Sequence, residues 1–312
     1  MISSQSINKI SYQQKNLKGI FPIIYSFFNK NNSLDLKLMK EQIQFIKKIG
    51  SNGIACLGLA TEVHKLSFNE KKLIIEMIAK QCNGKIPIAV TIQGHSLSEQ
   101  IKLINVAIAN KASWIILQPF LKSKKTTEVD CLKFYKKLIP YTKDTVDGIQ
   151  NAIEYMGVGL TTKNILKLYK LFPNFRAIKG ESSSVFIGNE IKQLPKNLYV
   201  FNGRGGAEIV DNFRVGCQGI IPATDCADKF VKIYYHVLKK DFDKANKKYQ
   251  EILPAIVFIM QSINTLVCYG KRVFAYRMGI KSIYDRKPFL APTDYGIKKS
   301  KDIAKYLGTM NV

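Results

Sequence analysis

Short β-branched runs alternate with amphipathic stretches eight times along the first three-quarters of this 312-residue chain. The apolar runs lie at Ile20–Tyr25, Gly53–Leu57, Ile86–Thr91, Trp114–Gln118, Val146–Asn151, Arg176–Lys179, Leu198–Asn202 and Gly219–Ala223. The stretches between them carry helical spacing. From Asp35 to Ile49, for example, Leu38, Ile43, Phe45, Ile46 and Ile49 mark one apolar face. Ser67 with Glu70, and Ser96 with Glu99, have the spacing of capping boxes at helix starts. Strands that alternate with helices of about 10–15 residues make parallel βαβ units, and eight such units point to a (β/α)8 TIM barrel. A doubly wound open sheet would usually carry a Gly-x-Gly-x-x-Gly turn after its first strand, and none stands there.

The strand pattern stops after Ala223. Asp228–Leu238 completes the eighth helix, Phe242–Tyr269 reads as a long helix interrupted at Pro254, and helical signal continues to Leu307. The chain therefore divides into a polar N-terminal arm (1–18), a barrel (19–240) and a C-terminal helical extension (241–312). An apolar share of 46% is ample for one large core. The arm lacks the apolar middle of a signal peptide, and no apolar run reaches the roughly 20 residues that span a bilayer. The expectation is a cytoplasmic protein without a membrane role. Cys56, Cys82, Cys131, Cys217, Cys226 and Cys268 form no Cys-x-x-Cys pair, and there are three histidines, so neither a disulfide framework nor a structural zinc site is expected. The net charge of +25 raises nucleic acid or an anionic surface as partners. The lysines are spread along helix faces, however, as at Lys37, Lys40, Lys47 and Lys48. Lys122 to Lys125 reads as a loop, and no basic block carries interleaved aromatics. That spread fits a compositional bias and argues against nucleic acid.

In such barrels the chemistry sits at the C-terminal ends of the strands. One lysine is placed there, in Phe175-Arg176-Ala177-Ile178-Lys179-Gly180-Glu181. Residues two apart on a strand share a face, so Lys179 and Glu181 are expected to point into one cavity. A desolvated lysine gives up its proton more readily and can attack a keto carbon. The resulting iminium withdraws electrons from the neighbouring carbon, and Glu181 can act as general acid or base. The other reading of Glu181 is an ion pair with Arg204 or a capping role. The turn Gly203-Arg204-Gly205-Gly206 can offer backbone N–H groups and a guanidinium to a carboxylate, or it can be an ordinary tight turn. Gln118, Gln150, Asn151 and Asn202 are strand-end amides suited to a polyhydroxy substrate. His64 and His95 fall in loops, where a lone histidine is more often structural.

These residues resemble the dihydrodipicolinate synthase and N-acetylneuraminate lyase superfamily of class I aldolases and dehydratases, from Gly19 to about Gly279. In that family a Gly-x-x-Gly-Glu loop after the second strand receives the substrate carboxylate. Gly58-Leu59-Ala60-Thr61-Glu62 stands in its place, which implies Gly58, Ala60, Thr61 and Glu62 as binding residues. The family's Tyr-Asn-x-Pro motif reads Gln150-Asn151-Ala152-Ile153 here, and its Schiff-base lysine falls on Lys179. The resemblance implies a small 2-keto acid substrate and a homotetramer or at least a homodimer. It implies no metal or organic cofactor, since the iminium is itself the electron sink.

The synthase branch uses a threonine and two tyrosines to relay protons, where this chain has Leu59, Leu121 and Gln150. The arginine that holds its second substrate is replaced by Tyr155. Leucine cannot relay a proton, and tyrosine cannot replace a guanidinium fork. Condensation with aspartate semialdehyde is therefore disfavoured. The combination Gln150-Asn151, Lys179-Gly180-Glu181 and Asn202-Gly203-Arg204-Gly205-Gly206 is more similar to the 2-keto-3-deoxy-sugar-acid dehydratases, such as the L-2-keto-3-deoxyarabonate type. The expectation is a Schiff-base lyase acting as a dehydratase on a 2-keto sugar acid. Lys179 is its nucleophile and Glu181 its acid or base. Gln150, Asn151, Asn202 and Arg204 orient the hydroxylated chain. Retro-aldol cleavage to pyruvate, a synthase-type condensation, and a non-catalytic basic barrel that binds anions or nucleic acid are the alternatives.

Overall fold

A computed structural model describes residues 4–119 and 126–310. Eight parallel strands lie among the described residues: β1 (Gly19–Ile20), β2 (Ile54–Cys56), β3 (Ile88–Ile92), β4 (Trp114–Leu117), β5 (Val146–Asn151), β6 (Phe175–Gly180), β7 (Tyr199–Asn202) and β8 (Gly219–Ile220). Each pairs with its successor from β2 to β8, and β8 pairs with β1. The two ends of the series meet at Ile23, just past β1, which bridges in parallel to Ala55 of β2. There the Ala55 N–H donates to the Pro22 carbonyl at 3.0 Å, and the Ile24 N–H donates to the Ala55 carbonyl at 3.1 Å. The first and last strands stop earlier than the sequence pattern suggests. Pro22 and Pro222 follow closely on them and have no N–H to continue a ladder.

Aromatic side chains fill the inside of the ring. The Trp114 and Phe201 centroids are 5.0 Å apart, and those of Phe21 and Phe201 are 5.4 Å apart. Gly148 leaves no space for a side chain: a Cβ there would overlap the backbone oxygen of Ala177 and crowd the Trp114 ring nitrogen.

The helices follow local signals. The helix Leu36–Lys48 begins at Asp35, whose carboxylate accepts the Leu38 N–H at 3.0 Å, and it buries Leu38, Ile43, Phe45 and Ile46. Ser67 and Glu70 form the full reciprocal box, at 3.2 and 2.9 Å. At Ser96 only half of it forms. Its hydroxyl accepts the Glu99 N–H, while the Glu99 carboxylate turns to the His95 N–H at 2.9 Å and to Lys71 at 3.2 Å. In the helix Ser184–Ile191, Glu190 is 4% exposed, and burial pushes its carboxyl up to about 7.

Within the stretch read as an arm, Ser4–Lys15 forms a helix. Its Gln14 amide donates to the carbonyls of Arg176 at 2.9 Å and Asn197 at 2.6 Å, and Gln13 accepts from the Val146 N–H. It therefore lies across the ends where β5 to β7 begin. After β8 come the helices Ala227–Leu238, Phe242–Ile259, Lys271–Arg277 and Asp294–Leu307, with a π-helical turn at Leu266–Gly270. Arg277 ties them to the barrel, donating to both oxygens of Asp228 at 2.9 Å and to the Asp225 carbonyl at 2.6 Å. No single described helix is long and apolar enough to cross a membrane. All six cysteines are buried and unpaired.

Candidate active site

β6 carries Lys179 opposite Gln150 of β5 and Phe201 of β7. Lys179 is 3% exposed and Glu181 5%. The lysine Nζ lies 2.9 Å from Glu181 Oε1, and Glu181 Oε2 accepts the Gln150 Nε2–H at 3.1 Å. The two residues thus share one cavity, and the ion-pair partner of Glu181 is Lys179, not Arg204. The loop after β2 closes on the amine. A Cβ on Gly58 would stand 2.6 Å from the end of the Ile23 side chain and 3.6 Å from both Lys179 Nζ and Thr91 Oγ1, so the glycine lets the turn pack close beside the amine.

The cavity at Lys179 has a volume of about 30 Å³. Leu59, Ala60, Tyr155 and Arg204 line it beside the lysine and the glutamate. Ile23 and Ile221 close one side, and Met260, Ile263 and Leu266 close the top. Its walls are mostly apolar, which strengthens any charge–charge contact inside. Tyr155 is half-buried, and burial raises its phenol above the usual value while Arg204 pulls the other way. Arg204 donates to Glu208 at 2.8 Å and lies 3.7 Å from Glu154. A larger cavity of about 900 Å³ lies at the far end of the barrel, among Lys9, Asn52, Lys85 and Lys111, and shares no residue with this one.

Four of the expected binding residues serve other purposes. The Asn151 amide is spent on the backbone of Leu160, donating to its carbonyl at 3.0 Å and accepting its N–H at 2.8 Å. Asn202 donates to the Ser182 carbonyl at 2.8 Å and to Asn212 at 2.7 Å. The Thr61 hydroxyl donates to the Ile24 carbonyl at 2.7 Å. Glu62 is fully buried in the left-handed region (φ 56°) and pairs with Lys271 and Lys65. Lys271 also faces Asp285, 3.6 Å away, which in turn holds Arg272. These four side chains brace loops around the mouth. Gln150 lies behind Glu181, outside the cavity's lining. Gln118 donates to the Met156 sulfur. His64 and His95 do not line the cavity, and Leu121 lies outside the described residues.

Two features escaped the sequence reading. One is the apolar roof of Met260, Ile263 and Leu266, delivered by helices far along the chain. The other is a buried pair at the ends of the first and last strands, where the Tyr25 hydroxyl donates to Asp225 at 2.6 Å. Gly270 of the π-helical turn presses on that pair closely enough to exclude a Cβ. Burial raises the Asp225 carboxyl, with the Tyr25 hydrogen bond opposing it.

The model of the dihydrodipicolinate synthetase family matches residues 16–306. This chain belongs to that family. With it the chain joins the class I lyases and aldolases that the family comprises. It is 24% identical over 252 residues to the 4-hydroxy-tetrahydrodipicolinate synthase of Methanocaldococcus jannaschii, covering 76% of this chain and 81% of the relative. It is 26% identical to the N-acetylneuraminate lyase of an Enterobacter species, over 94% of this chain and 98% of the relative. The solved structure of the Ruminococcus gnavus sialic acid aldolase has the same fold, with a TM-score of 0.85 at 18% identity, over 94% of this chain and 97% of the other.

Proposed function

We propose that this chain forms a Schiff base between Lys179 and the C2 carbonyl of a short 2-keto-3-deoxy sugar acid and eliminates water from it. One observation carries the reading: a buried amine and carboxylate 2.9 Å apart in a mostly apolar mouth. The free amine adds to C2, and the carbinolamine loses water to give the iminium. Glu181 takes a proton from C3, leaving an enamine. The enamine expels the C4 hydroxyl, which leaves as water with the proton Glu181 returns. Water then hydrolyses the iminium and frees the lysine. The backbone of the Gly58–Ala60 turn faces the substrate carboxylate. Arg204 and the Tyr155 hydroxyl are the polar groups left for the rest of the molecule, since Asn151 and Asn202 are engaged elsewhere. That scarcity favours a short chain. Family membership supports a homotetramer or homodimer. A cytoplasmic site of action and a helical extension over 241–312 belong to the same reading.

Retro-aldol cleavage passes through the same iminium, with Glu181 taking the C4 hydroxyl proton instead. The likeness to a lyase over nearly the whole chain favours it as the second reading. Borohydride trapping with candidate keto acids tests both. A reduced adduct is expected on Lys179 and absent in Lys179→Ala. Glu181→Gln keeps the adduct and loses about 10²–10⁴ in turnover. A retained carbon skeleton means dehydration, whereas pyruvate plus an aldehyde means cleavage. No adduct on the unmodified chain, or unchanged turnover in Glu181→Gln, refutes the assignment.

A further inference from the structure

We infer that Gln150 is a positioning residue for Glu181 and does not bind substrate. The inference rests on the acid–base role proposed for Glu181. Gln150 is fully buried in β5, directly opposite Lys179. The two oxygens of Glu181 are held separately. Lys179 faces Oε1 at 2.9 Å, and the Gln150 amide donates to Oε2 at 3.1 Å. Fixing Oε2 from behind fixes the plane of the carboxyl, and it leaves Oε1 as the oxygen turned toward the amine. A base must meet its proton at a set distance and angle, so this restraint acts on the reaction without touching the substrate.

The rest of the Gln150 side chain points to the same purpose. Among the described residues its Oε1 has no hydrogen-bond partner, although it is buried. A glutamine kept for packing alone would be better replaced by an apolar side chain of similar shape, which strands no acceptor. The amide's single hydrogen bond goes to Glu181, and the stranded oxygen accompanies it. Neutrality matters as well. A second cation at this position, added to Lys179, would favour the ionised form of Glu181 still further, while a second carboxylate would repel it. An amide orients the carboxyl and leaves it free to cycle. The other charged or titratable groups around Glu181 are Lys179 itself and, across the cavity, Tyr155 and Arg204.

Two isosteric variants test this. In Gln150→Met the borohydride adduct on Lys179 persists, KM stays within about twofold, and kcat falls about 10–100-fold. The acidic limb of the kcat/KM profile moves to higher pH, because the ionised base has lost a donor. Gln150→Glu moves that limb further, since a like charge now faces Glu181. If either variant instead raises KM tenfold with an unmoved limb, Gln150 contacts substrate and the inference is wrong. A loss of kcat with an unchanged profile also overturns it. Should Gln150→Met fail to fold, the Gln150→Glu profile alone decides. Absence of any adduct on the unmodified protein would instead refute the Schiff-base reading, so the two failures are distinguishable.

Discussion

Replacing Glu190 with glutamine removes a titrating carboxyl from a dry position without changing the side chain's length. In the folded chain burial pushes that carboxyl up to about 7, against an ordinary value of about 4.5. The fold tolerates the protonated form and penalises the charged one. The group's contribution is therefore complete below about pH 4.5 and is lost as the pH rises to about 7. A pKa difference of about 2.5, at about 1.4 kcal/mol for each, amounts to roughly 3 kcal/mol by about pH 8. Glutamine carries no such dependence. The expected result is that Glu190→Gln gains on the parent by roughly 3 kcal/mol between about pH 4.5 and 8, or about 5 °C in Tm for a chain of this size. Unfolding of both proteins is followed by calorimetry or circular dichroism at about one-unit steps of pH. A stability difference that stays flat across this range would mean that Glu190 is charged and well solvated in the fold, and the reasoning would fail.

Lys271→Met strips Glu62 of one of its two cations in a dry site and is expected to cost about 3 kcal/mol. The double variant Glu62→Gln/Lys271→Met removes the stranded carboxylate but leaves Lys65 without its partner, so it should recover only part of this, and equal melting temperatures for the two would contradict it. Gly148→Ala is expected to leave no soluble folded protein, because its methyl would overlap the Ala177 backbone oxygen. Wild-type solubility and melting would contradict that. In Gly58→Ala the new methyl meets the end of the Ile23 side chain at 2.6 Å, which can turn aside, so the chain folds. Borohydride trapping should slow at least tenfold, because the methyl stands beside Lys179 Nζ. Unchanged kinetics would show that substrate approaches the amine from another side.

The strands were legible because β-branched runs and their spacing are local properties. So were the caps, since Ser67 and Glu70 meet within one helical turn. The Lys179–Glu181 pair was legible for a similar reason: residues two apart share a face in extended backbone, and Glu181 directly follows the end of β6 at Gly180. The amides were not. A position at a strand end says nothing about what an amide will meet, and Asn151 finds Leu160 while Asn202 finds Asn212 only once the loops have folded. Thr61 is held by Ile24 across a strand boundary, which no local pattern encodes. The roof of Met260, Ile263 and Leu266 was invisible because helical periodicity shows that a face is apolar without showing what it covers. At Ser96 the sequence indicated the cap correctly, but it could not foresee that Lys71 would draw the Glu99 carboxylate away.

The contact between Glu62 and Lys271 joins residues 209 positions apart. At usual translation speeds about 10–40 s separate the emergence of the two from a ribosome. For that interval a carboxylate destined for a dry interior has Lys65 alone to offset it. The mouth of the cylinder therefore locks late, after the nascent polypeptide has delivered its distal helices. A product interrupted before Lys271 would lack the second cation that Glu62 meets in the finished fold, and its rim would stay open to water.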